Sequence, residues 1–276
     1  LAIAAPRGEA KSTFVSLFFV LWAVLTGRKH YILIIADALE QAASLLGAVK
    51  DELEFNEALK RDFPGAGKGH VWNVGTVVTP GNVKIQALGA GKRMRGLRHG
   101  PHRPDLIVLD DLENDGNVDK PEQRDKLQSW LQKTVLNLGA ADGSMDVVYV
   151  GTLLHYDSVL ARTLRKPLWK ARTFRSILRW PDRMDLWDEW ESLLSSRGEA
   201  EARRFYRQHR VKMEAGAEVS WPASRPLYRL MCLRAEDREA FDSEQQNDPL
   251  SANEAPFNGC ITFWVDRSRD WLLFGA

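Results

Sequence analysis

Four short apolar segments, separated by stretches with helical periodicity, constrain the fold of this 276-residue chain more strongly than any other feature. They cover residues 1–5, 31–36, 106–109 and 146–150. Each is too short for a buried helix and nearly continuous in apolar character, which is typical of strands buried on both faces. Strands of this kind that alternate with helices predict an α/β fold with a mostly parallel, doubly wound sheet flanked by helices.

Helices are predicted between these strands over residues 12–26, after Asp37, and over residues 121–138. Gly27 is expected to end the first helix, and Asp37 to cap the second. After about residue 176 the sequence becomes rich in tryptophan and charge, and helical patterns follow near 186–196 and 199–215. The chain is therefore expected to contain an α/β core and a small, mostly helical linker subdomain.

Composition excludes some classes of protein. The chain has 38 Lys and Arg against 37 Asp and Glu, so any nucleic-acid surface must come from local clustering. Cys232 and Cys260 have no paired metal-binding spacing and are expected to be reduced thiols. The apolar run over 14–25 is shorter than the roughly 20 residues that span a bilayer, so it is interpreted as a buried helix and no membrane partner is expected.

The segment AAPRGEAKST directly follows the first strand and approximates the phosphate-binding loop G-x-x-x-x-G-K-[ST]. In such a loop, backbone amides at a helix N-terminus cradle phosphate, a lysine contacts the β- and γ-phosphates, and a hydroxyl contacts Mg²⁺. Here Lys11 and Ser12 occupy those positions, while Ala5 and Ala10 replace both glycines. Alanine is acceptable there if φ stays negative, and Gly8 remains for any positive φ. An ordinary strand-to-helix turn explains the loop alone about equally well.

A second motif, LIVLDD, favours the nucleotide site. It is an apolar strand that ends in Asp110 and Asp111, with Glu113 two residues later. Asp110 is expected to hold Mg²⁺ through water or through Ser12, and Asp111 or Glu113 to orient and deprotonate the attacking water. The strand over 31–36 lies between the two motifs in sequence, which suits the P-loop ATPases that insert a strand and use an acidic base.

Two further sequence features can each be interpreted in more than one way. The basic loop GAGKRMRGLRHGPHR, residues 89–103, suits an arginine that reaches a neighbouring subunit's γ-phosphate, a DNA contact, or a mobile solvated loop. Its histidines, His99 and His102, lack partners at metal-ligand spacing, so no metal is expected there. Gly151 and Thr152, at the end of the fourth strand, suit a γ-phosphate sensor, although strand-to-loop turns often carry this pair.

Together, PRGEAKST, MRGLRHG, LIVLDDLEND, VYVGTLLHYDS and FDSEQQNDPL resemble, in order, the large terminase subunit of tailed bacteriophages and prophages. The resemblance implies a P-loop NTPase fold of the RecA-like (ASCE) class and an ATP- and Mg²⁺-dependent DNA-packaging motor. Such subunits form a ring, often a pentamer, that pumps viral double-stranded DNA into a procapsid in the cytoplasm of the infected cell. The implied protein partners are the portal protein and the small terminase subunit.

The resemblance also implies roles for individual residues. Lys11, Ser12 and Asp110 match the phosphate and Mg²⁺ contacts, and Arg7 matches a loop arginine that senses the γ-phosphate. Asp111 is favoured as catalytic base by position, with Glu113 as the alternative. Arg95 matches the arginine that acts in trans, with Arg98 as the alternative, and Gly151 and Thr152 match the coupling motif. The residues expected to bind ATP are Pro6, Arg7, Gly8, Glu9, Ala10, Lys11, Ser12 and Thr13.

The predicted organisation is an ATPase core over residues 1–176 and a linker subdomain over 177–276. The chain begins at Leu1 and ends in an apolar stretch, so it is expected to be part of a longer protein, whose C-terminal nuclease domain it lacks. No nuclease activity is therefore expected of it. The alternative functions are another nucleic-acid motor of the helicase type, or a non-catalytic nucleotide-binding module.

Overall fold

The computed structural model describes residues 1–92, 94–249, 263–266 and 271–274. Its central sheet contains eight strands: β1 (Ala2–Ala4), β2 (Tyr31–Ala36), β3 (Val71–Trp72), β4 (Thr76–Val78), β5 (Lys84–Gly89), β6 (Leu106–Asp110), β7 (Asp146–Gly151) and β8 (Ala171–Thr173). They are arranged in the order β3-β4-β5-β2-β6-β7-β1-β8. The six strands from β5 to β8 in this order are parallel, and β4 and β3 continue the sheet antiparallel at one edge. The predicted α/β fold with a mostly parallel sheet is confirmed.

The strand order matters for the candidate site because it determines which strand ends are neighbours. Strand β7 lies between β1, which leads into the loop AAPRGEAKST, and β6, which ends in Asp110. Strand β2 lies on the far side of β6 and separates the two motifs only in sequence. The inserted strand is therefore β7, which follows both motifs along the chain.

Ten α-helices are described: α1 (Val20–Leu25), α2 (Leu39–Phe55), α3 (Glu57–Asp62), α4 (Asp115–Val118), α5 (Pro121–Lys133), α6 (Val159–Leu164), α7 (Met184–Arg197), α8 (Glu199–Glu214), α9 (Leu227–Glu236) and α10 (Arg238–Glu244). Alternate residues of β2 face opposite layers. Ile32 and Ile34 pack in the layer that contains α1 and α2, and Leu33 and Ile35 in the layer that contains α5 and α6. This two-sided burial explains why the central strands are continuously apolar.

Two details of the helices differ from prediction. The helix after β1 is a π-helix over Thr13–Phe19 before it continues as α1. Helix α2 begins at Leu39, with Ala38 as its N-cap and no side-chain cap, so the prediction that Asp37 caps it is wrong. The carboxylate of Asp37 instead accepts hydrogen bonds from Asn114 and Asn117, because the chain after β6 passes directly over it.

Beyond the sheet, α7 to α10 pack around a third apolar cluster. Trp187 and Trp190 are fully buried there, and the Trp187 indole donates to the Met213 carbonyl. Two short strands, β9 (Ile177–Arg179) and β10 (Glu218–Val219), pair beside it, and β11 (Phe263–Asp266) pairs with β12 (Trp271–Phe274).

Two observations concern the other sequence-based expectations. Cys232 is a free thiol, and Cys260 lies outside the described residues. Within the described part of the chain, every helix is too short or too polar to cross a bilayer.

Candidate nucleotide site

The loop between β1 and the first helix contains two residues with positive φ, one of them unexpected. Pro6 is buried, Thr13 is exposed, and the helix begins at Lys11. Gly8 has φ 79°, as expected, and Ala10 has φ 57°. Alanine is acceptable in this loop if φ is negative, and Ala10 does not meet that condition. A left-handed residue with a Cβ costs about 1–2 kcal/mol, so this loop carries strain that glycine avoids.

The end of β6 meets the start of the helix through hydrogen bonds to one buried carboxylate. Ser12 Oγ donates to Asp110 Oδ1 at 3.0 Å, and Ser16, one helical turn later, donates to Oδ2. Asp110 is 0% exposed. Its burial raises the pKa of the carboxyl to about 6, an effect that the two serine hydrogen bonds oppose. Asp110 is thus held against the helix that begins at the loop.

The next carboxylate lies beside the loop lysine. Lys11 Nζ is 3.2 Å from Asp111 Oδ2, and the lysine side chain is only 9% exposed. The Asp111 amide donates to the Val150 carbonyl, and its own carbonyl accepts from the Asp37 amide. Asp111 has φ 45°, a second left-handed residue with a side chain at this site. Gly151 of β7 lies against it, since a Cβ there would come within 3.4 Å of the carboxylate.

Glu113 accepts hydrogen bonds from backbone amides and a hydroxyl, whereas Asp111 lies beside a lysine. Its carboxylate accepts from the amides of Val159 and Leu160, at 2.7 and 3.1 Å, and from the Tyr149 hydroxyl at 3.3 Å. Burial raises the pKa of Glu113, and these hydrogen bonds oppose the shift. The side chain is therefore occupied in holding the start of α6 against β7.

An open cleft of about 160 Å³ lies between these elements. Its lining residues are Arg7, Asp37, Gln41, Asp111, Glu113, Asn114, Asp115, Thr152 and Leu154. The cleft brings together a loop arginine, the candidate base Asp111 and the candidate sensor Thr152. The Thr152 hydroxyl donates to the Ala5 carbonyl at 3.2 Å, and the Ala5 amide donates to Gly151, so the sensor segment touches the start of the loop.

Residues beyond position 175 contact the exposed part of the loop. Arg7 forms an ion pair with Glu244 at 2.8 Å, although its side chain is 64% exposed. Glu9 Oε1 accepts from Ser176 at 2.7 Å and from Ser220 at 2.6 Å. A Cβ added to Gly8 would overlap the guanidinium of Arg225. Every residue from Arg7 to Glu9 thus contacts a residue beyond position 175.

The candidate trans arginines are not among the described residues that line the cleft. Arg95 and Arg98 are both exposed. In the same loop, His99 contacts Asn82 just before β5, and the His102 ring stacks on His30 just before β2. These contacts lie at the amino edge of the sheet, opposite the loop. Arg93 of the basic loop lies outside the described residues.

The donor set at Asp110 suits Mg²⁺. Carboxylate and hydroxyl oxygens are the hard ligands that this ion prefers, and it is commonly bound through one or two protein groups together with substrate phosphates. The described residues contain no cluster of three or more His, Cys, Asp or Glu side chains arranged to hold a metal. Ser12 and Asp110 therefore fit an ion that arrives with a phosphate ligand and do not form a complete protein cage.

Several residues of the site were not singled out from the sequence. Ser16 had a usable signal, because Ser12 and Ser16 are four residues apart and share one helix face. Arg225 and Glu244 lie in stretches that resemble the linker of the terminase family, but no local pattern connects them with the loop. Asn247 is similar: its side chain accepts from the Leu153 amide at 2.8 Å.

Solved structures with a similar backbone include two of one protein domain. The ATPase domain of the large terminase of Thermus phage P74-26 is 15% identical with a TM-score of 0.46, and an arginine-to-alanine mutant of that domain is 13% identical with a TM-score of 0.43. Each match covers 90% of this chain and 88% of the other. A scan against family models finds no match, and neither does a search of curated proteins.

Proposed function

We propose that this chain is an ATP-hydrolysing motor domain of the phage large-terminase type. The observation that carries the proposal is the meeting of Lys11 and Ser12, at the start of one helix, with Asp110 and Asp111, at the end of β6. A lysine and a hydroxyl at a helix N-terminus, facing two carboxylates across one inserted strand, are the groups that P-loop ATP hydrolysis uses.

The first step is binding of the triphosphate. The loop amides and Lys11 hold the β- and γ-phosphates, and Arg7 adds a second positive charge at the γ-phosphate. Ser12 and Asp110 would hold Mg²⁺, which would supply positive charge beside the phosphates. Both cations now have carboxylate partners, Asp111 for Lys11 and Glu244 for Arg7. Phosphate binding therefore exchanges a carboxylate for a phosphate at each of them.

The exchange at Lys11 prepares the base. Once Lys11 turns to the phosphates, the Asp111 carboxylate loses its partner and is free to accept a proton from water. That water attacks the γ-phosphorus, the bond to the β–γ bridging oxygen breaks, and the developing charge spreads over the γ-oxygens. Asp111 is favoured over Glu113 because the three hydrogen bonds to Glu113 already use its carboxylate oxygens.

The finer function follows from the resemblance. The motor would assemble as a ring, often of five subunits, and translocate viral double-stranded DNA through the portal into a procapsid. The core would cover residues 1–176 and the linker 177–276. Arg95, with Arg98 as the alternative, would act on a neighbour's nucleotide. Contact of Thr152 with Ala5, and of Arg7 with Glu244, supports a linker that responds to the state of the nucleotide.

The test is ATP turnover by the chain with Lys11→Ala, beside the control Lys133→Ala at an exposed lysine in the last turn of α5. Loss of the phosphate lysine should lower kcat by at least about 100-fold, while the control turns over normally. Nucleotide binding without any turnover in the parent chain, with and without DNA, would favour the non-catalytic alternative. Full turnover by Lys11→Ala would contradict the assignment of the nucleotide site.

A further inference from the structure

A second basic surface lies away from the loop at residues 89–103. Residues 165–179 contain six cations and no carboxylate, in a chain whose charges otherwise nearly balance. The six are Arg165, Lys166, Lys170, Arg172, Arg175 and Arg179. This density is the local clustering that a polyanion-binding surface requires when the overall charge gives none.

Three of these cations form the centre of the surface. Lys170, Arg172 and Arg175 are exposed and flank or belong to β8, the edge strand of the main sheet. None of the three forms an ion pair with a carboxylate among the described residues. Arg172 donates to the Ala171 carbonyl, and Arg179, further on, lies opposite Glu218 in a strand pair and donates to the Gly216 carbonyl. We call Lys170, Arg172 and Arg175 the edge cations.

Edge strands carry cations for another reason, since charge blocks pairing with a second sheet. Protection of this kind needs one or two charges on a short strand. β8 has three residues, and yet three cations lie within six positions around it, followed by Arg179. Mutual repulsion also disfavours a second copy of the same edge as the occupant. A polyanion can form ion pairs with all of these cations at once.

The edge cations are directly connected to the candidate nucleotide loop. Strand β8 pairs with β1, and the Phe174 amide donates to Ala4, the last residue of β1. Ser176, next to Arg175, donates to Glu9 within the loop and contacts Gln245 of the linker. One strand pair and one side-chain hydrogen bond therefore connect the edge cations with the loop.

We propose that the edge cations contact the phosphate backbone of double-stranded DNA. The inference rests on the proposed function, which supplies DNA as the partner, and adds the surface that holds it. It gives the edge cations a role, because neither the nucleotide loop nor the apolar cluster of α7 to α10 depends on them. The contact is independent of base sequence, because exposed Lys and Arg on a strand edge read charge and spacing only.

The experiment measures binding of the chain to a labelled random duplex of about 30 base pairs between about 50 and 200 mM salt. The test variant is Lys170→Ala/Arg172→Ala/Arg175→Ala. The matched control is Arg197→Ala/Arg207→Ala/Lys212→Ala, which removes three exposed cations from α7 and α8. A charge-conserving variant, Arg172→Lys/Arg175→Lys, checks that the edge still folds and binds.

Loss of three phosphate contacts should weaken binding by about tenfold or more and reduce the slope of log K against log salt by about 3. The control and the Lys variant should keep the parent slope. Equal losses in test and control variants, or an unchanged slope in the test variant, overturn the proposal. So does a change confined to self-association in sedimentation, which identifies a second copy as the occupant.

The experiments can contradict the ATPase proposal and the DNA-surface proposal independently of each other. Basal ATP turnover without DNA should be unchanged in the edge-cation variant, and DNA binding should be unchanged in Lys11→Ala. If Lys11→Ala keeps its turnover, the ATPase assignment fails while the DNA slopes still decide the surface. If only the slopes fail, the ATPase assignment stands and the DNA surface lies elsewhere.

Discussion

The acidic turn after β6 and the end of the basic loop just before β6, residues 99–103, are close in sequence and lie at opposite edges of the sheet. The acidic turn, residues 110–115, reaches the loop AAPRGEAKST and is held by Ser12, Ser16 and Lys11. The basic loop begins after β5 at the carboxyl edge, where the Ala90 amide donates to the Ala36 carbonyl, and its histidines lie at the amino edge. Its described arginines, Arg95, Arg98 and Arg103, are exposed. Residues that follow a parallel strand lie at the carboxyl edge, and residues that directly precede β6 lie at its amino edge.

The comparison separates two ways of supplying charge to a phosphate. Strand β6 has five residues and is roughly 17 Å long, so Arg103, at its amino end, does not reach the cleft of the same chain. In the proposed function, the acidic turn acts on the nucleotide of its own chain and the basic loop acts on that of a neighbour. Each of the following predictions would sharpen this distinction or break it.

The largest expected effect is on turnover by Asp111→Asn. Loss of the base should lower kcat by about 10³-fold with an unchanged melting temperature, measured at saturating ATP. Asp115→Asn is the matched control, because Asp115 lines the same cleft without a cation partner in the described contacts. If Asp115→Asn shows the larger loss, the base lies further along the acidic turn.

The second effect concerns the basic loop. Arg95→Ala should lower DNA-stimulated turnover by about 100-fold, because a donor aimed at the transition-state charge is lost from the neighbouring site. Mixing it with Lys11→Ala subunits should restore part of the activity, since one interface then has both groups intact. Arg98→Ala and Arg103→Ala are measured beside it. Rescue with Arg98→Ala alone would move the assignment to Arg98, and no rescue with either would contradict a trans role.

The third prediction is that Glu113, unlike Asp111, contributes more to stability than to turnover. Glu113→Gln should lower the free energy of unfolding by about 1–2 kcal/mol, because an amide cannot accept from all three of its present donors. Turnover should fall much less than in Asp111→Asn. Denaturant unfolding gives the first quantity, with the exposed Glu189→Gln as control. A stable Glu113→Gln protein without turnover would identify Glu113 as the base.

The smallest effect is a gain in stability. Folding raises the pKa of Asp110 from 3.8 to about 6, so the folded state binds this proton more tightly. Stability from this group is present below about pH 4 and is lost as the pH rises through about 6. Without nucleotide or Mg²⁺, Asp110→Asn should therefore gain about 1–2 kcal/mol at neutral pH, and lose turnover.

Thermal unfolding across this pH range tests the gain. Asp51→Asn, at an exposed position of α2, is the control. A destabilised Asp110→Asn protein at neutral pH would mean that the serine hydrogen bonds outweigh the burial of the charge.

Local sequence patterns predicted those parts of the molecule that depend on residues close together in the chain. Continuous apolar runs identified the central strands, since a strand buried on both faces leaves no position for a polar residue. Lys11 and Ser12 were predictable because a phosphate cradle is one loop and one helix start. The positive φ of Ala10 was not predicted because φ depends on how the loop closes, and Asp37 was misjudged because its amide partners come from residues 77 and 80 positions away.

By itself, the sequence determined the fold class, the strand that leads to the loop, and the candidate residues Lys11, Ser12, Asp110 and Asp111. Only the tertiary structure decided that β7 lies between the two motifs, that Glu113 is bound to the start of α6, and that residues beyond position 175 contact Arg7, Gly8 and Glu9. The physical reason is that periodicity and loop chemistry act between near neighbours along the chain. Which strand ends share an edge, and which distant side chains meet there, depends on how the layers pack.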